Sequence, residues 1–153
     1  MLLSRVFPEV WKFGLHERAT RQTPLALRGG VTAAAGVVRY TTLRKINAAA
    51  GYQVTAGKTL VITRILYTAS AVIAPWTAGY GDDDVAFSSA VAPANAVGSD
   101  GSLTPAGNLL LAATANVIYD VDYYLEVPAG KYPMIFLEQA SDTVRVYFLG
   151  HEV

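Results

Sequence analysis

Asp82-Asp83-Asp84 is the densest acidic group in the chain, and two aromatic residues, Trp76 and Tyr80, stand just ahead of it. Carboxylates in a flexible loop are the ligands Ca2+ takes, and aromatic rings beside them could stack on a sugar. Trp76, Tyr80, Asp82, Asp83 and Asp84 therefore form a candidate ligand loop. The metal part of that reading meets an obstacle. Adjacent residues point in different directions, and the alternating spacing of a Ca2+ loop is missing. A solvated loop tip is the plainer reading of the triplet, and no metal is expected.

Other chemistry is looked for and not found. Gly57-Lys58-Thr59 ends like a phosphate loop, but one residue too many separates Gly51 from Gly57, and an apolar β-branched run follows Thr59 where a helix is needed. His16 and His151 lie at opposite ends of the chain, and there is no cysteine. A clustered metal site or a Ser–His or Cys–His pair has little raw material. Asp120 and Asp122 would share one strand face, within reach of glycosidase-like geometry; keeping that face wet is the simpler role. No catalytic, cofactor or metal residue is assigned, and the chain is read as a non-enzyme.

The elements that carry these residues are strands. Val54-Thr55-Ala56-Gly57-Lys58 and Val127-Pro128-Ala129-Gly130-Lys131 are the same V-x-A-G-K corner used twice, and each leads into an apolar, β-branched or aromatic run. Strands are expected over residues 37–43, 59–69, 117–127, 132–139 and 143–149, with a short one at 85–88. Residues 74–84 and 91–107 read as loops, and 109–113 as strand or buried turn. From 117 to 127, Tyr119, Val121, Tyr123 and Leu125 alternate with Asp120, Asp122, Tyr124 and Glu126, the pattern of a strand with one wet face. Val144, Val146 and Phe148 share a face of the last strand, opposite Arg145, Tyr147 and Leu149. Several strands, turns rich in Gly, Pro, Asn and Asp, and no convincing long helix predict an all-β antiparallel sandwich. The repeated corner points to the jelly-roll type.

Residues 1–36 differ from the rest. Single large apolar residues are scattered among arginines and turn formers, and such a segment cannot bury enough surface to repay its own ordering. The expected organisation is an extended N-terminal arm, 1–36, ahead of a β-sandwich domain, 37–153. The arm residues Arg5, Trp11, Lys12, Phe13, Leu15, Arg18, Arg21 and Arg28 are the candidate partner-binding set, with aromatics and arginines as anchors.

Charge is scarce, at 16% of residues, and unevenly placed. Residues 1–64 hold ten basic side chains against two acidic, net +8; residues 65–153 hold two against ten, net −8. Such asymmetry fits either an interaction face or self-complementary packing, unless the strands interleave and mix the charges. An acidic second half argues against nucleic acid as partner. No run of apolar residues is long enough for a membrane helix, and residues 1–9 lack the pattern of a signal peptide, so neither is expected.

A basic, apolar-studded arm ahead of a small cysteine-free jelly roll resembles the cement or decoration proteins of tailed bacteriophage capsids. The likeness spans residues 37–153 plus the arm. It rests on Val54–Lys58, Val127–Lys131, the Gly/Ala/Ser-rich loops and the lack of cysteine. It implies a virion structural protein on the capsid surface, a homotrimer that binds across major capsid proteins, with no cofactor, nucleic acid or membrane. Phage tail and fibre proteins have a similar texture. A carbohydrate-binding β-sandwich module, using the Trp76–Asp84 loop, is the reading from another class.

Overall fold

The computed structural model describes residues 24–32, 38–70, 76–97, 115–137 and 143–153. They form eight strands: β1 (Pro24–Thr32), β2 (Arg39–Thr42), β3 (Arg44–Lys45), β4 (Leu60–Ala69), β5 (Trp76–Gly81), β6 (Tyr119–Val127), β7 (Tyr132–Leu137) and β8 (Thr143–Glu152). The large sheet has the order β3-β1-β8-β4-β6 and the small one β2-β7-β5. All pairings are antiparallel. The protein is an all-β sandwich of two antiparallel sheets. Among the described strands no two consecutive ones are hydrogen-bonded to each other. From β4 onward the chain crosses to the other sheet at every step.

The alternation seen in the sequence explains which faces meet. In β6, Tyr123, Leu125 and Val127 are buried while Asp120, Asp122, Tyr124 and Glu126 are exposed. In β8, Val144, Val146 and Phe148 have no exposed surface, whereas Arg145 and Tyr147 face solvent. These inner residues join Leu27 and Val31 of β1, Leu60, Ile62 and Ile65 of β4, and Ile135 and Leu137 of β7 in one core between the sheets. Each large apolar side chain so buried is worth about 1.5–3 kcal/mol.

The two sheets are covered differently. Met134 and Phe136 on the far face of β7 are buried in a second cluster with Tyr40 and Val85. Residues 82–97 lie over that face, tied by bridges of Tyr40 to Ser89 and Tyr80 to Val97. The small sheet is thus buried on both sides. The outer face of the large sheet carries exposed residues on β1, β8, β4 and β6.

The repeated corners are equivalent turns. Lys58 N donates to Thr55 O at 3.0 Å, and Lys131 N to Pro128 O at 3.2 Å. Gly57 and Gly130 sit at φ 75° and 76°. That is the third position of a type II turn, where a Cβ is strained. The corners also bind each other: Val54 N donates to Lys131 O at 3.0 Å, and Gly130 N to Val54 O at 2.9 Å.

Two expectations are corrected. Pro24–Thr32, placed in the arm, is β1 of the large sheet, paired with β8 over its whole length from Pro24–His151 to Thr32–Thr143. Its apolar face is real, with Leu27 and Val31 fully buried, but Gly29 and Gly30 among scattered apolar residues give it the look of an extended arm. Trp76–Gly81, placed in a loop, is β5. Its glycines answer a packing need: a Cβ on Gly79 would overlap the Val97 carbonyl oxygen and the Phe136 ring. Residues 85–88 form no named strand, and residues 109–113 lie outside the described residues. Among the described residues no helix is long and apolar enough to cross a membrane.

These positions separate two kinds of glycine. At Gly57 and Gly130 a Cβ would touch nothing, so G57A and G130A should each cost only the backbone strain, about 1–2 kcal/mol. G79A should cost clearly more, because the obstacle is backbone. Urea denaturation of the three variants checks this; a G79A variant no worse than the corner variants would contradict it.

Candidate binding surface

The expected ligand loop is taken apart by the fold. Trp76 has no exposed surface. Its ring meets Tyr67 edge-on, 5.2 Å between centroids, and its indole nitrogen is buried without a hydrogen-bond partner among the described residues. Tyr80 is partly buried against the same core. Neither ring is free to stack on a sugar as a platform with the carboxylates. The reason is the strand register: Trp76, Ala78 and Tyr80 share the inner face of β5.

The three carboxylates turn to different tasks. Asp82 pairs with Lys131 of the second corner and accepts a hydrogen bond from the Asn95 amide. These bonds, that from Lys131 foremost, hold the Asp82 carboxyl below its usual range. Asp83 accepts from Ala94 N at 2.8 Å, and Asp84 from Gly51 N at 2.8 Å. The triplet pins residues 82–97 and the 43–58 connection to the body. Among the described residues no group of three or more His, Asp or Glu is placed to hold a metal ion. His151 lies on β8, opposite Pro24 and Val61. Of the arm set, Arg28 is on β1; Arg5, Trp11, Lys12, Phe13, Leu15, Arg18 and Arg21 lie outside the described residues.

The described surface does bring together a set of residues that are remote in sequence. A cleft of about 310 Å3 is lined by Arg28, Arg44 and Arg145, with Phe87, Thr41 and Tyr147 among its walls. Arg28 faces Arg44 across β1–β3 and Tyr147 across β1–β8. Arg44 Nη1 donates to Ala49 O at 2.8 Å. Among the described residues none of the three guanidinium groups forms an ion pair. Phe87 is 58% exposed and Tyr147 46%. Always charged and weakly hydrated, guanidinium groups beside aromatic rings suit carboxylate or phosphate groups.

The cleft is one flank of a wider pattern. Strand register sets Arg44, Arg28, Tyr147, Leu66 and Asp120 in one row across the outer face of the large sheet. The next row reads Ala26, Leu149, Arg64 and Asp122, and another Pro24, His151, Val61 and Glu126. The face therefore runs from basic at β3 and β1, through a partly exposed centre of Tyr147, Leu66, Leu149 and Val61, to acidic at β6. Arg64 Nε donates to Asp120 at 2.7 Å, with a second bond from its Nη2. This pair lowers the Asp120 carboxyl. Asp122 carries the remaining charge toward solvent, and Glu126 accepts a bond from the Tyr124 hydroxyl.

At the corner end, Glu152 of β8 accepts hydrogen bonds from the Tyr52 hydroxyl and from Thr55 N, the latter at 2.9 Å. Lys45 Nζ lies 5.0 Å from the centre of the Tyr52 ring. Burial, and then the Glu152 carboxylate, raise the Tyr52 hydroxyl. Burial acts to raise Glu152 as well, but the bonds from Thr55 and Tyr52 outweigh it and leave that carboxyl lowered.

Compared with protein-family models, with curated proteins and with solved structures, the chain matches none.

The Glu152 contacts give a pH dependence. A carboxyl lowered in the folded state adds stability that is present above its unfolded pKa and is lost as pH falls through the folded one. Wild-type melting temperature should fall on acidification below about pH 4.5. E152Q, which removes that titration, should lower stability at pH 7 and show a shallower acid decline. Thermal melts from pH 7 to pH 3 test it; parallel profiles for the two proteins would contradict it.

Proposed function

We propose that this protein is a virion structural subunit, a capsid cement or decoration protein that strengthens a shell by binding across major capsid proteins. The observation that carries the reading is the outer face of the large sheet, with charged flanks of opposite sign around a partly exposed apolar centre. That is the make-up of a contact surface. Support also comes from the scarcity of charge and from carboxylates spent on holding loops rather than on chemistry. The strand order supports a jelly roll: β1-β8-β4-β6 in one sheet, with the two-residue β3 added at its β1 edge, and β2-β7-β5 in the other, the chain passing back and forth between them from β4 onward. The carbohydrate reading loses its stacking platform with the burial of Trp76.

In this reading residues 1–23 are the arm, and Trp11, Phe13 and Leu15 anchor it on a shell protein while Arg5, Lys12, Arg18 and Arg21 meet carboxylates. β1 begins at Pro24. A cut after residue 23 leaves every β1–β8 pairing in place. A cut after residue 30 removes seven of the nine residues of β1 and with them Leu27.

The test is co-sedimentation with capsids of the virus that encodes the chain, together with the melting temperature of those capsids. The full chain should bind and raise capsid melting. Deletion of residues 1–23 should leave the circular dichroism spectrum intact and abolish binding, whereas deletion of 1–30 should prevent folding. A full chain that neither binds nor stabilises shells overturns the proposal. Binding unaffected by loss of residues 1–23 removes the arm from it.

A further inference from the structure

The geometry points to a second copy of this chain as the occupant of the large sheet's outer face, in a two-fold pair of stacked sheets. The inference rests on the reading of that face as a contact surface, though not on the shell as partner.

The argument is one of charge and symmetry. The basic flank, Arg28 and Arg44, and the acidic flank, Asp120, Asp122 and Glu126, lie on the same face of the same sheet. They stand on either side of the central pair, β8 and β4. Place a two-fold axis parallel to the strands, above the seam between β8 and β4. The basic flank of each copy then falls on the acidic flank of the other, and the contact is made twice. An axis in the sheet plane but across the strands would set basic on basic and acidic on acidic. Charge therefore selects the first arrangement, and a two-fold contact is self-complementary by construction.

The middle of the face suits the same occupant. Rows keep their level across this axis, so Tyr147 of one copy meets Leu66 of the other, Leu149 meets the apolar stem of Arg64 and His151 meets Val61, a partly apolar centre inside a charged rim. Four long strands at about 4.8 Å spacing, nine residues long at about 3.4 Å each, present on the order of 600 Å2 per copy. Twice that is about the lower limit for a stable specific interface. The small sheet offers no equivalent surface, since residues 82–97 already cover it.

Arg145 has a place in this arrangement. It lies on β8 beside Thr68 of β4, next to the axis, and with Arg28 it leaves the cleft without an internal carboxylate among the described residues. Asp120 of the second copy, level with Arg28 and one row from Arg145, is the nearest acidic group the pairing supplies, with Asp122 in the row beyond. This two-fold departs from the threefold closure that the resemblance to cement proteins implies, and measured mass separates the two.

The test uses the full chain and two charge-reversed variants, R28E/R44E and D120K/D122K, with analytical ultracentrifugation as readout. Wild type should sediment as a dimer that loosens as salt is raised. Each variant alone sets like charges against each other twice, and should dimerise about a hundredfold more weakly or less. Mixed one to one, they should pair fully, since both contacts of the mixed dimer join opposite charges. A head-to-tail trimer cannot be restored this way, because two alternating partners do not close a ring of three. Circular dichroism of each variant checks folding; should D120K/D122K fail to fold through loss of the Arg64 pair, D122K/E126K takes its place. A monomeric wild type, a trimer, a dimer indifferent to both reversals, or a mixture that stays monomeric each overturns the inference. Shell co-sedimentation of the same proteins is read separately: dimers that ignore capsids keep this inference and remove the cement reading, and monomers that bind capsids do the reverse.

Discussion

The large sheet depends on β8. The last strand of the chain pairs with β1 on one side and β4 on the other, almost residue for residue from Thr143 to Glu152. Without it the sheet falls into two pieces, β3-β1 and β4-β6. Its inner residues, Val144, Val146 and Phe148, stand in the middle of the core. Hydrogen bonding and burial are therefore completed by the same strand, and by the one that joins ends of the chain more than a hundred residues apart. Contacts of such separation carry a loop-closure cost before they return anything, which places the protein among slow folders of its size.

The corner end shows how that closure is held. Val54 donates to the Lys131 carbonyl and accepts from Gly130 N between the two V-x-A-G-K turns, and Thr59 and Val153 exchange another pair of backbone bonds. Glu152, one residue from the end of the chain, reaches Tyr52 and Thr55 of the first corner. Lys131 of the second corner reaches Asp82. Residues that look like isolated loop chemistry in the sequence are here the fasteners between loops. Bonds of this sort are modest one by one, but a free β-edge or an unmet buried amide at these points would cost more than each bond returns.

What could be read in the sequence was periodicity. The alternation in β6 marks the wet face opposite Tyr123 and Leu125, that in β8 groups Val144, Val146 and Phe148 on the face that the fold buries, and the repeated corner is legible because turn chemistry is local. The strands that escaped were β1 and β5, and for one reason. Gly29, Gly30, Gly79 and Gly81 look like punctuation, yet in the fold they mark close approach by Leu43, Phe87, Phe136 and Pro93. A glycine required by a neighbour cannot be told from a glycine required by a turn until the neighbour is known. The arginine cleft was hidden in the same way. Arg28, Arg44 and Arg145 converge only through the pairing of β1 with β3 and β8, and no local pattern contains that information. Trp76 misled for the opposite reason: in sequence it stands among Pro, Gly and small residues just ahead of the Asp82–Asp84 triplet, while its neighbours in space are Tyr67 and the core.

Charge asymmetry between the two halves of the chain also needed the topology to acquire meaning. Interleaving of the strands would be expected to mix the signs, and strands from the two halves do alternate at the centre: β1, β8, β4, β6. But the outermost positions are unmixed. β3 and β1 come from the basic half and β6 from the acidic half, while the central strands β8 and β4 each bring an outward arginine, Arg145 and Arg64. Arg64 is spent on Asp120 beside it. The result is a gradient across one face rather than a neutral patchwork, and an edge strand carrying Asp120, Asp122 and Glu126 is also poorly suited to pair with another edge. Charge at β6 therefore turns association away from the rim of the sheet. What it leaves available is the face, where opposite signs lie far enough apart to be matched only by another surface.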